Sequence, residues 1–312
     1  MTEQEKLYAR DVYGQTLVEL GKEDPNIVVL DADLSGSTRT ALFAREFPDR
    51  FFNFGVAEQN MMAAAAGLAS CGKIVFASTF AMFATARPLD QIRNSICYNR
   101  LNVKIVATHG GITVGEDGAS HQALEDVAFL RSIPHIRIIV PADAHEARDT
   151  IRTVYKTPGP FYIRLGRSKI PTLSQRKEFV VGKGYMLSEG GDLAVIACGI
   201  MVNEAVLARG ILKEKGIDIA VANIHTIKPL DEELVLALAK RYKKLIVCEE
   251  HQSRGGLYSS VCEFLSGVYP VKVASVAVND RFGQSGSPQE LMEKYELSAK
   301  AIAHKAEELL RD

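Results

Sequence analysis

Short runs of Val, Ile and Ala recur along the chain with helical stretches between them, and this rhythm constrains the fold more than any other feature. "IVVLDADL" from Ile27, "KIVFAST" from Lys73, "VKIVATH" from Val103, "IRIIVPAD" from Ile136 and "FYIRLG" from Phe161 form one series. "DLAVIACG", "IDIAVANI", "KLIVCEE" and "PVKVASVAV" form a second, with helical segments such as "NEAVLARGILKEKG" between them. Near-continuous apolar runs without alternation are what parallel strands require when helices cover both faces of their sheet. The expected fold is α/β, in two doubly wound domains. Between the two series, residues 168–191 mix Pro, Gly and charge, and read as a linker leading into a short hairpin at the edge of the second domain. The domains are therefore drawn as 1–177 and 178–312.

Charge narrows the partners. Lys plus Arg number 37 against 38 Asp plus Glu, with no long run of one sign, so neither nucleic acid nor an anionic membrane is expected. The five cysteines are scattered without CxxC spacing, which suits reduced thiols in a cytoplasmic protein. "MTEQEKLYAR" has no apolar stretch of the signal-peptide kind, and no segment reads as a transmembrane span.

Familiar motifs fail on context. "GLASCGK" at 67–73 has the spacing of a phosphate-binding loop, but Ile74 stands at the Ser/Thr position and the glycines precede a strand. "GKGYML" from Gly182 begins like a dinucleotide fingerprint, but Leu187 occupies its third glycine position. His109 and His121 lie too far apart for a helical zinc pair, and Ser120, between Ala119 and His121, has no nucleophile elbow around it.

Two stretches carry chemistry. "THGGITVGEDGASHQ" gathers His109, Glu116, Asp117 and His121 in a glycine-rich loop beginning where a predicted strand ends, the usual place for ligands in open parallel sheets. A solvated loop with incidental histidines is the plain alternative. "FFNFGVAEQNMMAAAAGLASCG" sets Glu58 at the start of a small-residue helix that is expected to be packed closely on every side. An acid there complements the helix dipole and needs no other role.

Taken in order, "GVAEQN", "STFAMF", "THGGITVGEDGASHQ", "GRSKIP" and "FGQSGSPQELMEKYELSA" resemble the pyrimidine-binding and C-terminal domains of transketolase over essentially the whole chain. The GDG motif and following Asn of the family's diphosphate domain have no counterpart, so the chain is similar to the second half of a split transketolase. The resemblance implies that 1–177 is the pyrimidine-binding domain and 178–312 the C-terminal domain. It implies thiamine diphosphate and Mg2+ as cofactors, with the metal and diphosphate held mainly by an N-terminal partner subunit and no metal ligand in this chain. A dimer or α2β2 heterotetramer and sugar phosphate substrates of the pentose phosphate pathway are implied as well.

Roles follow by matching position. Glu58 would hydrogen-bond the ring nitrogen N1′ of the aminopyrimidine, which asks for an apolar setting where desolvation outweighs the helix dipole. Phe80 and Phe83 would flank that ring, with Phe83 as the stacking partner. Asp33 and Leu34 would approach the thiazolium, Leu34 as an apolar wedge. Arg10, Ser37, His109 and Arg167 match the family's sugar phosphate contacts, with Arg164 nearby as the rival to Arg167. Asp117 would bond the hydroxyl next to the reacting carbonyl, and His121 would act near N4′ and the substrate oxygen. Gly110 and Gly111 replace the family's common Asp-Ser, and "LGRSKIP" differs from "LSRQNLP", which leaves sugar length and the phosphate open. 1-Deoxyxylulose-5-phosphate synthase, other thiamine diphosphate enzyme subunits and a non-catalytic scaffold are the alternatives. "EEHQSRGGL" at 249–257 is expected to be a surface loop, with His251 and Arg254 in reach of an interface.

Overall fold

The computed structural model describes residues 5–173 and 177–311. Its strands, in chain order, are β1 (Lys6–Tyr8), β2 (Ile27–Asp31), β3 (Phe51–Asn53), β4 (Ile74–Phe80), β5 (Val103–Thr108), β6 (Arg137–Ile139) and β7 (Phe161–Arg164), then β8 (Lys169–Pro171), β9 (Tyr185–Ser188), β10 (Leu193–Ala197), β11 (Ile219–Asn223), β12 (Thr226–Lys228), β13 (Lys244–Gln252) and β14 (Lys272–Val278). A seven-stranded sheet has the order β12-β6-β7-β5-β4-β2-β3 and is parallel except for β12. A five-stranded sheet has the order β14-β13-β10-β11-β9, parallel except for β9. Among the described residues, no helix is long and apolar enough to cross a membrane.

Burial explains the apolar runs. On β2, Ile27 and Val29 point into one core with Tyr13, Leu17 and Phe161, while Val28 and Leu30 point into another with Met61, Val75 and Ile105. Both faces of the strand are covered, so neither alternate position tolerates a polar side chain. The second of these cores runs on into the C-terminal half through Ile138, Val140, Ala194, Ile196 and Ala222.

Three features depart from expectation. The segment after β7 forms no hairpin: β8 pairs antiparallel with β1, and β9 pairs with β11 at the edge of the second sheet. Residues 174–176, within the expected linker, lie outside the described residues. β12, from the C-terminal half, crosses to extend the first sheet antiparallel to β6. The helix Glu58–Ser70 is also not enclosed on every side. Met61, Met62, Ala65 and Ala69 are buried, but Asn60, Ala63 and Gly67 form an exposed stripe, and a Cβ at Gly67 would meet nothing within 4 Å.

Candidate active site

The chain runs from β2 to β3 on one side of it, then to β4 on the other, so the sheet order reverses at β2. At such a reversal the loops after the strands part and leave a crevice. All of the expected site residues except Arg10 belong to the carboxyl ends of first-sheet strands or the segments that follow them. Arg10 comes from the start of the helix Ala9–Glu23.

The turn after β2 is tied down by Asp31, a fully buried carboxylate whose proton affinity is raised by burial. It accepts hydrogen bonds from the Leu34 amide at 2.6 Å and from the hydroxyls of Thr38 and Thr40 at 2.7 and 2.8 Å. Leu34 is thereby fixed half-buried at the crevice. Asp33 adopts a left-handed φ of 65°, held by Asn53, whose carboxamide accepts from the Asp33 amide and donates to its carboxylate, both at 3.1 Å.

Four rings gather beside this turn. Phe80 stacks on the His109 imidazole, with centroids 3.7 Å apart and planes at 21°. Phe83 meets His121 edge-on at 5.2 Å and lies 6.0 Å from Phe80. Glu58, 4% exposed, reaches the same place from the helix after β3. Its setting is not purely apolar as expected, because Arg87 donates to its carboxylate at 2.7 Å. The Arg87 guanidinium also lies over the Phe83 ring at 4.2 Å. A flat, hydrogen-bonding group thus already sits against Glu58 and Phe83, the two contacts an aminopyrimidine would need, so these side chains fit that ring. Among the described residues, no group of three or more His, Cys, Asp and Glu could hold a metal ion.

A cationic corner adjoins the rings. His109 is buried in a left-handed conformation, and burial together with Arg10, Arg167 and His121 pushes its pKa down to about 3. It is neutral at physiological pH and shares a hydrogen bond of 2.9 Å between Nδ1 and the Thr108 hydroxyl. Arg10 donates to the Ser37 carbonyl at 3.3 Å and is lowered in pKa by burial first and by Arg39 next. Arg167 is one-third exposed, bonds the Val114 carbonyl and pairs with Glu116 at 2.9 Å. Asp117 stands exposed at the far end of the same loop.

Arg164 does not join this corner. It is buried, donates to Asp126 at 2.8 Å, and bonds the carbonyls of Ala123 and Glu250 at 2.9 and 3.0 Å between the two domains. The expected surface loop at 249–257 is likewise corrected, since Glu249, Glu250 and His251 are buried at the end of β13, and only Arg254 is exposed, paired with Asp280 at 2.7 Å. Arg39, Asn53 and Arg87 were not anticipated. A basic residue one turn beyond "STFAMF" was the available signal for Arg87.

Residues 5–172 match the model of the transketolase pyrimidine-binding domain, and residues 182–302 match that of the transketolase C-terminal domain. The chain belongs to the transketolase family. It is 50% identical over 307 residues to a Methanocaldococcus jannaschii protein described as a transketolase C-terminal section, covering 97% of this chain and 96% of that one. It is 40% identical over 306 residues to a 6-deoxy-6-sulfo-D-fructose transketolase subunit from a Clostridium species, covering 98% and 95% of the two chains. Among solved structures, a split-gene transketolase in an inactive β4 tetramer superposes with a TM-score of 0.89 at 47% identity, covering 98% of this chain and 99% of that chain. Membership of the transketolase family gives the crevice after β2, β4 and β5 its context.

Proposed function

We propose that this chain is the C-terminal subunit of a split transketolase that moves a two-carbon ketol unit between a ketose phosphate and an aldose phosphate. It would act in the cytoplasm, with its domains divided after residue 177, and with an N-terminal partner subunit in an α2β2 assembly. The observation that carries this reading is the buried Glu58 carboxylate and the Phe83 ring meeting one guanidinium, that of Arg87, at a reversal of the sheet. Exposed apolar side chains, notably Val56 at 72% and Tyr98 at 81%, support association with other subunits.

Thiamine diphosphate, when bound with Mg2+, supplies the nucleophilic carbon that takes up and releases the two-carbon unit. This chain would hold its aminopyrimidine, with Glu58 sharing a proton at a carboxylate oxygen and Phe80 and Phe83 fixing the ring plane and excluding water. Arg87, half exposed, has room to turn aside. Leu34 and Asp33 would border the thiazolium. His121 engages the Ser120 hydroxyl at 3.0 Å through Nδ1, leaving Nε2 to move a proton at the substrate oxygen. Neutral His109 orients a hydroxyl without adding charge, Asp117 bonds the neighbouring hydroxyl, and Arg10, Arg167 and Ser37 meet the phosphate.

The test is ketol transfer from xylulose 5-phosphate to ribose 5-phosphate with cofactor and Mg2+, for this chain alone and with its partner subunit. Activity in the mixture only is the expected result. Silence in both, with no cofactor-dependent stabilisation of the mixture, would overturn the reading. Use of pyruvate with loss of CO2 would favour the deoxyxylulose-phosphate synthase alternative instead.

A further inference from the structure

We infer that Glu250, at the end of β13 in the C-terminal domain, is a positioning residue that holds the substrate-facing loop 109–118 in its working shape; this rests on the function proposed above. The Glu250 carboxylate accepts a hydrogen bond from the Thr113 amide at 2.6 Å, with both groups buried. That bond reaches the middle of the loop from the opposite domain, 137 positions away in sequence.

The glycines of the loop fit this contact. Gly111 has φ of 92°, and a Cβ there would overlap the Glu250 carboxylate. A Cβ at Gly110 would come within 2.8 Å of Arg164 Nε. Arg164 in turn bonds the Glu250 carbonyl and Asp126, so the carboxylate approaches the loop beside a fixed positive charge. Gly110 and Gly111 therefore have a steric role: without side chains, they let the backbone close onto Arg164 and Glu250. Further ties converge on the loop. The Gly111 amide donates to the Ala123 carbonyl at 2.9 Å, and Gln122 donates to the carbonyls of Ile112 and Gln284 at 3.1 and 2.9 Å. The Gln252 amide, beyond Glu250, donates to the Leu124 carbonyl at 2.8 Å. His109, left-handed and stacked on Phe80, stands at the other end of the same loop, so a shift at Thr113 is transmitted to the sugar contacts. Misplacement by about 1 Å can cost on the order of a hundredfold in rate.

The test compares Glu250→Ala, Glu250→Gln and Gly111→Ala by amide hydrogen exchange on the full chain, then by kinetics of the reconstituted pair. Glu250→Ala and Gly111→Ala are expected to speed exchange in 109–118 while leaving β2 and β4 unchanged. Glu250→Gln keeps an acceptor oxygen and is expected to stay near the parent. In the pair, Glu250→Ala should raise KM for the ketose roughly tenfold or more, with half-saturation by thiamine diphosphate changed less than about twofold. Unchanged exchange in the loop, a uniform rise across the chain, or equal damage from Glu250→Ala and Glu250→Gln would each overturn the inference. The exchange result needs no turnover, so a pair that is silent even for the parent counts against the proposed function and not against the loop contact.

Discussion

Replacing Arg164 with methionine keeps most of the buried stem and removes the charge. The guanidinium makes three hydrogen bonds, to the Asp126 carboxylate and to the carbonyls of Ala123 and Glu250. Its loss takes the countercharge from Asp126, which is fully buried, keeps only the Tyr162 hydroxyl at 2.6 Å on Oδ2 and has its other oxygen, Oδ1, already without a partner. Breaking a buried pair from one side costs about 3–5 kcal/mol. With a urea slope of about 3 kcal/mol per molar, the unfolding midpoint should fall by about 1 M or more. Arg167→Met makes the contrast, because its pair with Glu116 is exposed and worth at most about 1 kcal/mol. Its effect should be kinetic, raising KM for a phosphorylated sugar by roughly ten- to a hundredfold through the lost charge-assisted bonds. Urea melts and initial-rate kinetics on both variants decide the matter. A midpoint for Arg164→Met unchanged from the parent, or a stability loss confined to Arg167→Met, would refute the division of roles.

Three more outcomes are expected. Glu58→Gln should lower kcat of the reconstituted pair by about a hundredfold or more without altering subunit assembly, as read by initial rates and size-exclusion chromatography. Phe83→Ala should weaken cofactor half-saturation by roughly tenfold, measured by titrating thiamine diphosphate at saturating sugar, because it removes the stacking face. Glu146 is buried between the domains, accepting from the Ala142 amide at 2.6 Å and from Asn223 at 2.8 Å, and burial pushes its pKa up to about 7. The folded state then binds the proton more tightly than the unfolded state, so stability from this group is full below the ordinary carboxylate range and is lost as pH rises toward 7. Glu146→Gln should therefore gain on the parent between pH 4.5 and 7, by on the order of 3 kcal/mol, in urea melts across that range. A difference independent of pH would contradict the burial argument.

The sequence by itself determined the two α/β halves, because strands covered on both faces must be apolar at every position, and that demand is written locally. It also determined where the expected site segments would lie, since "STFAMF" and "THGGITVGEDGASHQ" both sit at or just after strand ends, where side chains converge at the edge of the sheet. Only the tertiary structure separated Arg164 from Arg167. They stand three positions apart in "RLGR", yet one is sealed beneath the second domain and the other lies beside His109. The same holds for Arg87 against Glu58, for Glu250 against Thr113 and for β12 joining the first sheet. Each depends on what another part of the chain brings alongside. Burial and charge pairing are set by those distant neighbours, and no local pattern of residue types encodes them.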